Sequence, residues 1–271
     1  MSDEIYAAKA YLHKWEEPCI SYKNGAGTVF FSGCSLRCVY CQNHVISNEG
    51  SGISISSDNL GDIFLSLQDK GADNIELVTP THFVPQIIAA LDRVRHRLHI
   101  PVIYNSGGYE KVSTIDMLNG YIDVYLPDIK YFSPEISMRY SSAADYFEYA
   151  SEAVSAMINQ VSKPVYNSDG GLVKGTIIRH LVLPSHSSDS KRIVEYLYKT
   201  YGDSIYVSIM SQYTPMPSVK YPELKRRLRQ REYEAVTDYA LALGLTNGFF
   251  QEGEAASESF IPEFNGEGVD I

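Results

Sequence analysis

Three cysteines, Cys34, Cys38 and Cys41, fall within eight residues of the stretch FFSGCSLRCVYCQNHVIS, and the 271-residue chain has only four. Thiolates crowded at a C-x3-C-x2-C spacing do metal or iron–sulfur chemistry; three unrelated structural thiols do not account for them. Two chemistries fit. Adding His44 gives a Cys3His zinc set, but structural zinc sites usually draw ligands from two separated elements, and four ligands in eleven consecutive residues are cramped. A [4Fe-4S] cluster on three thiolates leaves one iron without a protein ligand, an open position for a substrate or cofactor to chelate. Cys19, in EEPCIS, is the other candidate for a fourth ligand. It lies fifteen residues before Cys34 and reads as a buried or incidental thiol.

The elements that must hold this loop are six short apolar, β-branched runs: TVFFSG (28–33), IELVT (75–79), PVIYNS (101–106), DVYLPD (123–128), GTIIRHLVLP (175–184) and SIYVSIM (204–210). Near-continuous apolar runs mark parallel strands covered on both faces. Helical patterns lie between them, bounded by Ser, Asp or Pro at their starts and Gly at their ends. Asp58 is the expected cap of NLGDIFLSLQDKG, ended by Gly71, and one long helix is expected over YPELKRRLRQREYEAVTDYALALG. Alternation of strand and helix predicts βαβ units and an α/β fold. An open doubly wound sheet would want a Gly-rich phosphate turn after the first strand, where this chain has cysteines. A complete eight-stranded barrel needs about 250 residues of repeats. Six units predict a partial (β/α)6 TIM-like barrel in a single domain: an N-terminal extension (1–26), the partial barrel (27–245) and a C-terminal tail (246–271) whose Phe260, Ile261 and Phe264 pack on it.

In such a barrel chemistry gathers at the C-terminal ends of the strands, and the cysteines lie just past the first. At the fourth, Asp128 and Lys130 are two residues apart and share a side of an extended segment. On the fifth, Arg179 and His180 point to opposite faces, so one of them lies inside and needs a partner or a ligand. At the sixth, Gln212 sits where a polar contact to substrate belongs. Net charge is −10, which argues against a protein built to grip nucleic-acid backbones. No apolar run approaches the ~20 residues of a membrane span. An acidic N-terminus without an apolar core is not a signal peptide, so a cytoplasmic location is expected. The 21 tyrosines look scattered, as packing residues would be. KRRLRQRE, Lys225 to Glu232, is the one dense basic run; it reads as a solvated helix face or as a docking patch for an acidic partner.

C-x3-C-x2-C with Tyr40 just before the last cysteine resembles the signature of radical SAM enzymes. GTVFFSGCSLRCVYCQN is most similar to the group related to pyruvate formate-lyase activating enzymes, in the branch of glycyl-radical-enzyme activator homologues. WEEPCIS, VTPTHF, PDIKYF, MSQYTP and NGFFQEG…IPEFNGEGV extend the resemblance along nearly the whole chain. It implies a [4Fe-4S] cluster on Cys34, Cys38 and Cys41 whose open iron takes S-adenosylmethionine. It also implies reductive cleavage fed by a low-potential donor, a flavodoxin or ferredoxin, and hydrogen abstraction from a substrate. That substrate is a glycine of a partner glycyl radical enzyme, or a small molecule or peptide. Many members carry Gly-Gly-Glu after the second strand; here Thr79, Thr81 and His82 occupy the place. Asn105 and Ser106 match an Asp-Thr pair of the activating enzymes. Asp128 and Lys130 match an Asp-x-Lys in which the lysine meets the S-adenosylmethionine carboxylate and the Asp helps hold a monovalent cation. The resemblance favours Arg179 as the inward residue of its strand.

Overall fold

The computed structural model describes residues 4–250 and 262–269. Ten strands form one curved sheet: β1 (Ile5–His13), β2 (Ala26–Phe31), β3 (Ile53–Ile55), β4 (Ile75–Val78), β5 (Val102–Ser106), β6 (Val124–Pro127), β7 (Val165–Tyr166), β8 (Leu172–Leu181), β9 (Tyr206–Met210) and β10 (Gly248–Phe250). The helices are α1 (His44–Ser47), α2 (Ser57–Asp69), α3 (Val84–Val94), α4 (Val112–Met117), α5 (Pro134–Ser141), α6 (Tyr146–Val161), α7 (Ser187–Tyr201) and α8 (Gln230–Leu243). The order β2-β4-β5-β6-β8-β9-β10 runs parallel throughout. All six expected strands are therefore present, in an α/β sheet shaped as a partial TIM-like barrel. A seventh short parallel strand, β10, falls in the stretch read as tail. β1, in the stretch read as an extension, pairs antiparallel with β2, and β3 with β1.

Strand alternation builds two cores. Ile75, Leu77, Val102 and Tyr104 face outward and pack with Leu60, Ile63 and Phe64 of α2 and Ile87 of α3. Val207 and Ile209 meet Ile193, Val194 and Leu197 of α7 and Val236 of α8. The alternate residues face the lumen. Its floor is apolar: Ala26, Ile103, Val124, Leu126 and Ile177 close around Cys19 and Ile20, which the β1–β2 connection pushes in from below. Leu172 N–H donates to the Cys19 carbonyl at 2.9 Å, and Asn74 Nδ2 to the Ile20 carbonyl at 2.8 Å, fixing that plug.

Helix boundaries follow capping chemistry. Ser56, not Asp58, caps α2, its hydroxyl accepting from Asn59 N–H at 3.1 Å; Asp58 lies inside the first turn, where its charge suits the helix dipole. Pro134 after Ser133 opens α5, which sequence patterning missed because the helix is only eight residues long. The helix expected from Tyr221 begins at Gln230; Pro222–Leu224 forms a short 3-10 turn instead. Residues 262–269 lie along β1: Gly266 N–H donates to the Ala8 carbonyl, Ala10 N–H to the Glu267 carbonyl, and Phe264 meets Phe30 edge-on. Phe260 and Ile261 fall outside the described residues. Among those described, no helix is long and apolar enough to cross a membrane.

Candidate active site

The β2–α1 loop carries Cys34, Cys38 and Cys41, all free thiols, on the wall of a cavity of about 870 Å3. Gly33 opens the loop at φ +91, and a Cβ there would meet the His82 ring at 2.8 Å, so the turn needs glycine. Each sulfur has a partner. Leu36 N–H donates to Cys34 Sγ at 3.4 Å, Ser141 Oγ donates to Cys38 Sγ at 3.0 Å, and Ser47 Oγ lies 3.3 Å from Cys41 Sγ. Behind Ser141 runs a hydrogen-bonded chain, Ser141 to Tyr131 at 2.6 Å and Tyr131 to Tyr40 at 2.6 Å. Donors of this kind favour charge on sulfur. Burial raises the Cys34 thiol, and pushes Cys38 up to about 11 although Lys130 and Ser141 pull it down. Five of the 21 tyrosines, Tyr40, Tyr131, Tyr140, Tyr146 and Tyr213, pack in one apolar cluster with Leu36 beside the cysteines.

The other strand ends converge on the same cavity, which Tyr40, Thr79, Asn105, Ser106, Asp128, Lys130, Arg179 and Gln212 all line. Arg179 is the inward residue of its pair. Its Nε donates to Asp128 Oδ1 at 3.0 Å, its Nη2 to Asn105 Oδ1 at 2.6 Å, and its Nη1 lies 3.3 Å from Glu16 Oε2. His180 points the other way, Nδ1 2.7 Å from the Ile129 carbonyl oxygen. Lys130 Nζ binds the second Asp128 oxygen. Burial opposes the charge on Asp128, Lys130 and Arg179 alike. Mutual attraction outweighs it, lowering Asp128 and raising the two bases, so all three are charged. Gly107 and Gly108 let Tyr146 reach across, its hydroxyl donating to the Gly107 carbonyl at 2.8 Å and accepting from Lys130 N–H at 2.9 Å. A Cβ on Gly108 would sit 2.1 Å from the Asp128 carbonyl oxygen.

Thr79 has φ +57, a strained conformation for a β-branched residue, and its N–H donates to the Asn105 carbonyl. Thr81 and His82 are not brought into the cavity wall. The 3-10 turn Thr81–Phe83 directs Thr81 to Glu110 at 2.6 Å and His82 onto Gly33. Burial holds the Glu110 carboxyl up at about 7. A carboxyl raised in the folded state stabilises it below the unfolded value and loses that contribution as pH climbs to the folded one. Stability is expected to fall between about pH 4.5 and 7 by up to about 3 kcal/mol, and Glu110→Gln should flatten this stretch of the melting profile.

Sequence reasoning missed Glu16, Glu17 and Glu76. Glu16 and Glu17 reach the cavity from the plug segment. Glu76 is fully buried behind Asn105, taking Asn105 Nδ2 at 2.7 Å and Thr28 Oγ1 at 2.8 Å. A lone charge at an inward position of an apolar strand is itself a signal.

The sequence model of the Radical SAM superfamily matches residues 28–171, from β2 to the start of β8. The chain belongs to the radical SAM superfamily. A relative of the family member described here, the uncharacterized protein MJ0674 of Methanocaldococcus jannaschii, is 30% identical over 250 residues, 88% of this chain and 67% of the relative. Similar folds include SuiB of Streptococcus suis bound to S-adenosylmethionine (TM-score 0.54, 16% identity, 82% of this chain and 48% of SuiB). SuiB has a similar fold when bound to its precursor peptide SuiA (TM-score 0.55, 15% identity, 83% and 48%). A radical SAM methyltransferase from Sphaerobacter thermophilus has TM-score 0.58 at 11% identity, covering 83% and 66%. The chain spans about half the length of SuiB. The superfamily implies a [4Fe-4S] cluster and S-adenosylmethionine. Three free, hydrogen-bonded thiols on one cavity wall fit a cluster. Among the described residues no three His, Cys, Asp or Glu side chains converge on a single metal ion.

Proposed function

We propose that this protein is a radical SAM enzyme of the glycyl-radical-enzyme activator-like branch. The observation that carries the reading is the meeting of Cys34, Cys38 and Cys41 with the strand-end residues around one cavity. The bound groups supply reductive cleavage of S-adenosylmethionine and hydrogen abstraction, with electrons from a flavodoxin or ferredoxin. Cys34, Cys38 and Cys41 are the cluster ligands. Lys130 and Arg179 offer positive charge to the methionine carboxylate, held in place by Asp128. Asn105, Ser106, Thr79 and Gln212 offer polar contacts, and Tyr40 closes the cysteine loop from behind. A monovalent cation beside Asp128 would compete with Lys130 for the same oxygen, and the proposal needs none. The apolar walls, Phe30, Phe31 and Phe249, keep water from the reacting groups.

The substrate is a glycine Cα–H of a partner protein. The second reading, a small molecule or peptide, draws on the SuiB fold with its bound precursor peptide. Deuterium transfer decides between them. Label from a deuterated-glycine partner protein appearing in 5′-deoxyadenosine supports the first; label only from a small molecule or peptide supports the second. Lys130→Ala should weaken S-adenosylmethionine binding about tenfold, or about 1.4 kcal/mol, with iron content unchanged. Unchanged affinity would remove Lys130 from the carboxylate site.

The basic run is less free to dock a donor than its sequence suggests. Arg226 binds Glu232 twice, at 2.6 and 2.7 Å, and Glu232 also accepts from Arg229 N–H at 3.0 Å. Burial opposes this only weakly: hydrogen bonds from Arg226 hold the Glu232 carboxyl down at about 2. Reversing Arg226 therefore breaks the start of α8 before it tests docking.

A further inference from the structure

The plug segment HKWEEP places an acidic wall in the cavity that none of the roles above uses. Glu16 and Glu17 line it, Asp128 lies across from Glu16 over Arg179, and Glu76 stands behind Asn105. Against these four carboxylates the neighbourhood has two cations, Arg179 and Lys130, and Lys130 is engaged by Asp128. His13, 3.8 Å from Glu16, adds no charge, because burial lowers its pKa. Glu17 is only 9% exposed, its carboxyl shares a hydrogen bond with that of Glu16, and its Oε2 is buried with no N–H or hydroxyl donor among the described residues. A buried, unpaired carboxylate oxygen is costly unless a ligand supplies the missing donor.

A cavity of about 870 Å3 has room for an organic cation to supply that donor. Its remaining walls include Phe30, Phe249 and Phe250, suited to the carbon skeleton that carries such a charge. Glu76 also lies deep. Thr28, which binds Glu76, sits four residues before Ser32, about 13 Å along the strand below the start of the cysteine loop.

We propose that Glu16 and Glu17 form a subsite for a protonated amine or guanidinium of the substrate, and so select cationic substrates. The inference rests on the radical SAM reading for what happens to that substrate, but not for the binding itself. Burial and the charge of Glu76 raise the Glu16 carboxyl well above its usual range despite Arg179; a bound cation would take the place of that proton.

Trp15, the chain's single tryptophan, lines the same cavity and reports occupancy by fluorescence. The probes are phenethylammonium, its neutral analogue 2-phenylethanol and its anionic analogue 3-phenylpropionate. Each is titrated into the protein as purified and into cluster-reconstituted protein saturated with S-adenosylmethionine. The cation should bind at least tenfold more tightly than either analogue in both forms. Glu17→Gln should cut its affinity about tenfold and leave the S-adenosylmethionine Kd within twofold; Glu16→Gln, whose side chain also meets Arg179, should cut the cation's affinity as far. Equal affinity for the three probes in the unsubstituted protein overturns the proposal, whatever the variants do. So does a loss of S-adenosylmethionine affinity with no loss for the cation, which would assign the acids to the cosubstrate's own ammonium. If the protein takes up neither iron nor S-adenosylmethionine, the radical SAM reading fails, and the titration of the purified protein still decides the cation site.

Discussion

Replacing Cys38 with alanine is expected to strip the protein of its iron. After anaerobic reconstitution the unsubstituted protein should be brown and hold about four irons per chain; Cys38→Ala should hold almost none, and Cys34→Ala and Cys41→Ala should match it. Cys38 is the most telling of the three because its sulfur ends the hydrogen-bonded chain from Tyr40 through Tyr131 and Ser141. Losing the sulfur leaves that chain intact but aimed at nothing, so the fold should survive while the metal is lost. Cys19→Ala is the control. Its thiol is buried in the lumen floor, pushed up to about 12 mainly by burial, and does not line the cavity. Iron content should not change there. Iron and visible absorbance are the measurements.

Truncating Arg179 to alanine should be the most destabilising change in the lumen. The guanidinium faces Asp128, Glu16 and Asn105, and through Asn105 the fully buried Glu76. Removing it leaves the charged, buried Asp128 with Lys130 as its remaining partner, and breaking a buried pair from one side costs about 3–5 kcal/mol. Denaturant unfolding at pH 7 should show that loss, shrinking at lower pH as the carboxylates protonate. Arg179→Lys should recover little, because one ammonium cannot fill three directions of a planar fork. A variant as stable as the parent would mean the carboxylates are already neutral in the folded protein.

The strands that carry the site were legible because parallel strands covered on both faces are apolar almost without interruption: IELV, VIYNS and SIYVSIM are written that way. β1 was not, since IYAAKAYLH mixes small, charged and aromatic residues without the apolar continuity of the others, although it pairs on both sides. β10 was not, because three residues carry no period. Arg179 could be singled out as inward or outward by the strict alternation of a strand. The same reasoning applied to Glu76 would have flagged it, a single charge in an apolar run. Glu16 and Glu17 had no such signal. They reach the lumen through a connection between strands, and only the fold brings residue 16 to residue 179. Thr81 and His82 were drawn in by sequence proximity to Thr79, yet a one-turn 3-10 helix is enough to rotate them out of the wall.

If the three-cysteine loop and the cavity it borders act together on S-adenosylmethionine, the anaerobically reconstituted protein with dithionite and S-adenosylmethionine, followed by chromatography, should form 5′-deoxyadenosine and methionine in equal amounts. Formation should be slow without substrate and absent in Cys38→Ala. One zinc per chain, no visible absorbance and no 5′-deoxyadenosine would contradict that joint action.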